Sequence, residues 1–216
     1  MIEPRDHTIV PLLRRVVLSV LLILAGCAET DYGRMSDPER DQWQHPSAII
    51  QSLKLEQGAR VADLAAGGGY FTFPLAQAVG PRGLVFAVDI DEIGLKIIKE
   101  QSAKHPDRLA NIRLMLAAPD GLHLPPKSVD LIFAYNAYHH LPERTAYLGA
   151  LLPVLRPGGR VAVIDYKGEG LVEGLGGHWT GKGTVRHEME DASYRLVEEF
   201  DYLPKQHFQI FSPTQP

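Results

Sequence analysis

Alternating strand and helix signals from residue 60 to residue 164 predict an α/β domain built on a mainly parallel sheet. Two observations carry that expectation. Short apolar runs recur at Arg60–Leu64, Leu84–Val88, Ile112–Leu116, Val129–Ala134 and Val161–Ile164. The segments Phe71–Val79, Glu92–His105 and Glu143–Leu155 between them carry helical spacing, so each serves as a right-handed crossover. Composition agrees: with 216 residues, 45% apolar and 22% charged, the chain is large enough for one ordinary domain with a real core. A net charge of −4 argues against nucleic-acid binding driven by bulk charge, and no nucleic-acid partner is expected. A single cysteine excludes an internal disulfide framework and any thiolate-rich metal site, so no metal is expected.

That cysteine, Cys27, closes a distinctive N-terminus. Arg14-Arg15 precede a run from Val16 to Ala25 that is apolar but for Ser19, followed by Gly26-Cys27. A basic region, a short apolar region and small residues before a cut site read as a secretory signal. The run is about half the length a membrane-crossing helix needs. Leu24-Ala25-Gly26-Cys27 resembles the lipobox of bacterial lipoproteins, which implies lipid attachment at Cys27 and a membrane-anchored protein of the bacterial cell envelope. A buried element with an incidental cysteine is the alternative. A true start downstream of Met1 would make the protein cytoplasmic. The expected organisation is therefore a signal over residues 1–26, a tether and N-terminal segment over 27–45, and a folded domain over 46–216.

Within the domain, His45-Pro46-Ser47 opens a short helix through Leu53, proline suiting its first turn. Gly80-Pro81 stops the helix after the first strand, and Pro157-Gly158-Gly159 turns the chain into the fifth strand. A helix near Thr184–Ala192 leads to Tyr194–Phe200, and the loop at Leu203-Pro204 joins this strand to His207–Phe211. Two strands so closely connected form an antiparallel hairpin.

Ligands of open α/β sheets bind beyond the carboxyl ends of the strands, which makes those five ends the places to look for chemistry. The first is followed by Asp63-Leu64-Ala65-Ala66-Gly67-Gly68-Gly69, small residues that let a ligand approach the backbone. Asp89 follows the second strand, and its carboxylate can accept two hydrogen bonds from a ribose diol. Asp120 and Gly121 follow the third, where an acceptor can meet an adenine amino group. Asn136 and the cluster Tyr138-His139-His140 follow the fourth, and Asp165-Tyr166-Lys167 the fifth. Each signal alone is ordinary turn or cap chemistry; their recurrence in register is specific.

With these motifs the chain resembles the class I S-adenosylmethionine-dependent methyltransferases, over roughly Pro46 to Phe211. Val61–Tyr70 resembles the family's acidic-and-glycine motif, Phe86–Asp89 its ribose-binding strand end, Asp120–Pro125 its adenine-side motif, and Leu155–Arg160 its turn before strand five. The resemblance implies a Rossmann-like three-layer sandwich with a seven-stranded, mostly parallel sheet whose last strand is antiparallel. It is closest to the small-molecule branch that includes quinone-biosynthesis and arsenite methyltransferases, and the lack of any cysteine outside the lipobox disfavours arsenic as substrate. It also implies S-adenosylmethionine as methyl donor, held by Asp63, Ala65, Gly67, Gly69, Asp89, Asp120, Gly121 and Asn136, and a small-molecule acceptor. Ala65 departs from the family by standing where its first glycine is usual, which is tolerable if φ there is negative.

Of the candidate bases, His139 and His140 come first, because neutral imidazole is available near pH 7. Tyr138 and Trp43 are candidates for the methyl pocket or, equally, core aromatics, and the 32–46 segment is expected to fold over the donor. The stretch from Gly168 to Gly183 holds seven glycines and reads as a lid or a plain connection. A nicotinamide oxidoreductase is disfavoured, because Thr72 occupies the third position of G-x-G-x-x-G. The alternative of another class is a lipid-anchored binding module that keeps this fold without turnover. Export and a cytosolic methyl donor stand in tension, which that alternative would resolve. The sequence leaves the oligomeric state open.

Overall fold

The computed structural model describes residues 38–117, 122–168 and 179–215. All of these lie in the unit Gly33–Pro216. The expected signal and Cys27, the pair Asp120-Gly121 and most of the glycine-rich stretch lie outside the described residues. Among the described residues, no helix is long and apolar enough to cross a membrane.

Seven strands form one sheet in the order β3-β2-β1-β4-β5-β7-β6. They are β1 (Arg60–Leu64), β2 (Leu84–Asp89), β3 (Ile112–Leu116), β4 (Val129–Tyr135), β5 (Leu155–Tyr166), β6 (Tyr194–Phe200) and β7 (Gln206–Pro213). Strands β1 to β5 are mutually parallel. β7 runs antiparallel to β5 and pairs with β6 as the expected hairpin. The Rossmann-like architecture with an antiparallel last strand is thus the observed one.

Period-two alternation sorts the buried side chains to the two faces of the sheet. On one face Val61, Val85, Leu131, Phe133, Ala162 and Ile164 pack under Ile49 of α2 (Pro46–Ser52), Leu53 just after it, and Leu75 and Val79 of α3 (Thr72–Val79). Farther along that face, Ala87 meets Leu95 and Ile98 of α4 (Glu92–Lys104), which the short α5 (Pro106–Leu109) follows. The opposite face, with Ala62, Phe86, Ile132 and Val163, packs under Leu148 and Leu151 of α6 (Arg144–Leu151) and Val185 and Met189 of α7 (Lys182–Asp191). Three layers follow directly.

Three local expectations need correction. The helix expected to Leu155 ends at Leu151 and tightens to a 3₁₀ turn over Leu152–Val154. Pro153 explains this, since it has no N–H to continue the ladder. Pro157-Gly158-Gly159 lies inside β5 and not before it: Val129 pairs with Leu155 and Leu131 with Arg160, so these residues form an irregularity between two paired points. A further helix, α1 (Pro38–Gln44), precedes α2.

Candidate active site

The loop after β1 is built from its own hydrogen bonds. Ala66 donates its amide to Val88 O (3.1 Å), Gly69 to Ala66 O (2.9 Å) and Phe73 to Gly69 O (3.2 Å). Gly69 has φ +91°, and a Cβ there would lie 2.9 Å from both Ile98 Cγ1 and the Phe73 ring, so glycine alone fits. Ala65, by contrast, has φ +59° and is exposed. The tolerance condition set by the sequence, negative φ, is not met. An L-residue is held in the left-handed region.

Beneath the loop, Asp63 is buried and accepts the Thr72 hydroxyl at 2.6 Å, joining the end of β1 to the first residue of α3. Burial, reinforced by the charge of Asp89, pushes its carboxyl up to about 7 despite the Thr72 bond. At 2% exposure, Asp63 sits beneath the loop and ties it to α3 through Thr72.

The loop and the second strand end meet directly. The Gly67 amide donates to Asp89 Oδ2 at 2.7 Å, and Asp89 Oδ1 accepts the Asp91 amide at 2.9 Å. A carboxylate offers about four lone-pair positions, so accepting capacity remains for a diol. Beside it stand three large apolar side chains in solvent: Ile90 (77% exposed), Ile93 (61%) and Leu116 (55%). Leu116 is the register partner of Asp89 across β2 and β3. Sequence reasoning missed Ile90, although an apolar residue directly after a strand-end acid was the available signal. The placement of Asp120 and Gly121 lies outside the described residues.

At the ends of β4 and β5 the chain brings together a second group. Asn136 has φ +49°, a conformation asparagine tolerates, and its Oδ1 accepts Gln206 Nε2 at 2.7 Å. The Tyr135 hydroxyl donates to Gln206 Oε1 at 3.1 Å, and burial raises its pKa. His139 Nδ1 lies 2.8 Å from Asp165 Oδ1, while the His139 amide donates to Asp165 Oδ2 at 3.1 Å. Tyr166 N adds a third bond to the fully buried Asp165, at 2.8 Å. In the neutral imidazole, with the carboxylate accepting, the proton sits on Nδ1 and the lone pair on Nε2. His140 is exposed, its ring centroid 4.0 Å from that of His139. The two histidines are therefore not equivalent. Sequence reasoning placed Asp165 at the fifth strand end without a role, and its pairing with His139 supplies one.

In the same register Asp165 pairs with His207 of β7. His207 Nε2 lies 2.8 Å from Thr180 O, so it donates to that carbonyl, and burial lowers the His207 pKa. Tyr138 takes no part in the cleft. It is completely buried, its hydroxyl donates to Glu188 Oε2 at 2.8 Å, and Arg144 grips both oxygens of Glu188 at 2.7 Å. Of its two readings, that of a core aromatic holds, because the ring belongs to the core under α6 and α7.

Across the strand ends lies α1. The Arg40 guanidinium sits 4.2 Å over the Tyr70 ring, and the Tyr70 hydroxyl donates to Asp41 Oδ1 at 2.5 Å. Trp43 lies 6.3 Å from the Tyr166 ring and 4.7 Å under Lys205 Nζ. One short helix thus touches the loop after β1, the end of β5 and the entry to β7.

Comparison with known proteins agrees with this geometry. Residues 61–159 match a family described as "Methyltransferase domain". The chain is 27% identical over 117 residues to the ubiquinone/menaquinone biosynthesis C-methyltransferase UbiE of Shewanella piezotolerans, covering 54% of this chain and 46% of that one. It is 28% identical over 140 residues to the demethylmenaquinone methyltransferase of Lactococcus lactis, covering 63% and 54%. The matched segment is about half the length of these relatives. A crystal structure of a SAM dependent methyltransferase from Aquifex aeolicus superposes with a TM-score of 0.74 at 26% identity, covering 83% of this chain and 95% of that one. The fold is the Rossmann-like methyltransferase fold, and the match over residues 61–159 supports a methyltransferase domain of the S-adenosylmethionine-dependent kind, a likeness that implies S-adenosylmethionine as methyl donor.

Proposed function

We propose that the domain transfers a methyl group from S-adenosylmethionine to a small molecule whose attacking atom sheds a proton, with a quinone-type ring as the acceptor the relatives' names favour. The observation that carries the reading is the Gly67–Asp89 hydrogen bond, which joins the glycine loop to the ribose-side acid in one structure. The residues fit the donor: Gly69 leaves no space for a side chain, Asp89 keeps accepting capacity, and Ile90 offers an apolar face beside it. Asp89, Gly67 and Gly69 would hold its nucleoside end. The bound donor supplies a sulfonium methyl group for in-line displacement.

The chain's own task is then to position and to deprotonate. Holding the acceptor in line contributes on the order of 7–11 kcal/mol to lowering the barrier. His139 is the base that removes the acceptor's proton, and Asp165 fixes its tautomer and orientation. Calorimetry of the full chain with S-adenosylmethionine and its demethylated product is the deciding measurement. Saturable binding is expected, weakened at least tenfold by Asp89→Ala; no binding by the wild type sinks the proposal. In a quinol methylation assay, Asp165→Asn is expected to retain donor binding and lose turnover by about 10²–10⁴. Undiminished turnover would remove His139 from the chemistry.

The N-terminus belongs to the same proposal: Cys27 carries a lipid that holds the protein at the cell envelope. Metabolic labelling with a radioactive fatty acid checks it, and label that persists in Cys27→Ser refutes it.

A further inference from the structure

The opposite end of the sheet carries an unexplained concentration of charge. The starts of β1, β2 and β3 border an open groove of about 930 Å³ lined by Arg60, Arg82, Arg113 and Arg156 and, among the described residues, by no acidic one. Its floor is Asn111, buried at 8% exposure, whose Nδ2 donates to Ala76 O and Gly80 O at 2.9 and 2.8 Å. Asn111 Oδ1 and Arg60 Nε are both buried without a hydrogen-bond partner. Of the four guanidiniums, only that of Arg156 is paired, its Nη1 lying 3.0 and 3.2 Å from the two oxygens of Asp130. The Arg60 guanidinium rests 5.4 Å over the Phe86 ring. Among the described residues, Arg82 and Arg113 make no hydrogen bond or ion pair.

Three uncompensated cations around one concavity repel each other, in a chain whose net charge is −4. An anion bound between them removes that repulsion. All four are arginines, whose planar forks grip oxyanions in bidentate fashion, a geometry that diffuse attraction to a charged surface does not require. The groove's volume is that of a small-molecule site. Arg60 begins β1 and Leu64 ends it, so the groove lies about 13 Å along the strand from the glycine loop.

We propose that this groove binds a small, multiply charged phosphate compound, such as a polyphosphate or a phosphate ester, at a site separate from the methyl-transfer cleft. Its phosphoryl oxygens accept from Arg82, Arg113 and Arg60, and a hydroxyl or amine of the same ligand donates to Asn111 Oδ1.

Titration calorimetry of the full chain with sodium tripolyphosphate tests the assignment, with citrate, a single-stranded oligonucleotide and phosphatidylglycerol vesicles as the other arms. One tripolyphosphate per chain is expected, bound at least tenfold more weakly by Arg82→Gln/Arg113→Gln. Both arginines are exposed, and the double variant is expected to bind S-adenosylhomocysteine as the wild type does, which reports an intact fold. The proposal is overturned by absent tripolyphosphate binding, by equal affinity in the double variant, by citrate binding as tightly, or by the oligonucleotide or vesicles binding more tightly. Failure of donor binding would leave this result standing, because the groove shares no residue with that cleft.

Discussion

Ala65 holds a left-handed backbone in a loop where every other positive-φ residue, Gly67 and Gly69, is glycine. The Cβ costs roughly 1–2 kcal/mol in that conformation, and part of this is offset because glycine loses more backbone entropy on folding. Ala65→Gly is therefore expected to stabilise the domain by about 0.5–1 kcal/mol, read as a raised denaturation midpoint in urea. A lowered midpoint would show that the alanine methyl makes a favourable contact. The sequence exposed the substitution but not its conformation, since φ at Ala65 is imposed by the bonds of Ala66 and Gly67 to β2. The same limit applied to the histidines. Residue identity placed His139 and His140 side by side, and only the pairing of β4 with β5 distinguished them by setting Asp165 against one.

Between elements, Asp63 couples β1 to α3 through Thr72, and its raised pKa turns that junction into a pH-dependent one. The folded state holds the proton more tightly than the unfolded chain does. Its contribution is therefore fully present below about pH 4 and is lost as pH rises through about 7. Asp63→Asn retains an acceptor for Thr72 and cannot ionise. The stability of this variant relative to wild type is expected to rise steadily from pH 4 to pH 7.5, measured by urea unfolding at each pH. A difference that stays flat across that window would show that Asp63 does not change charge on folding. Element boundaries were legible where breakers coincide with strand ends, as at Gly80-Pro81. They were missed where a proline acts inside a segment, as Pro153 does in cutting α6 short. Helix α1 escaped notice because its seven residues show almost no apolar stripe. Aromatic and cationic contacts with Tyr70, Tyr166 and Lys205 accompany it instead.

For the molecule as a whole, the parallel order of β1 to β5 separates two chemistries. The carboxyl ends of β1 to β5 lie along one edge of the sheet, where α1 contacts Tyr70 and Tyr166, and the amino ends of β1 to β3 collect arginines. The sheet was readable from alternation alone, yet the arginine groove was not, because Arg60, Arg82, Arg113 and Arg156 stand far apart in sequence and meet only through the order β3-β2-β1-β4-β5. The bond from Gly67 to Asp89 carries one last implication. Both oxygens of that side chain are anchored by main-chain amides, so its rotamer is frozen when the chain folds. A ligand that reaches this carboxylate meets a rigid receptor. It avoids the roughly 0.5–1.5 kcal/mol that immobilising a free side chain on encounter would cost.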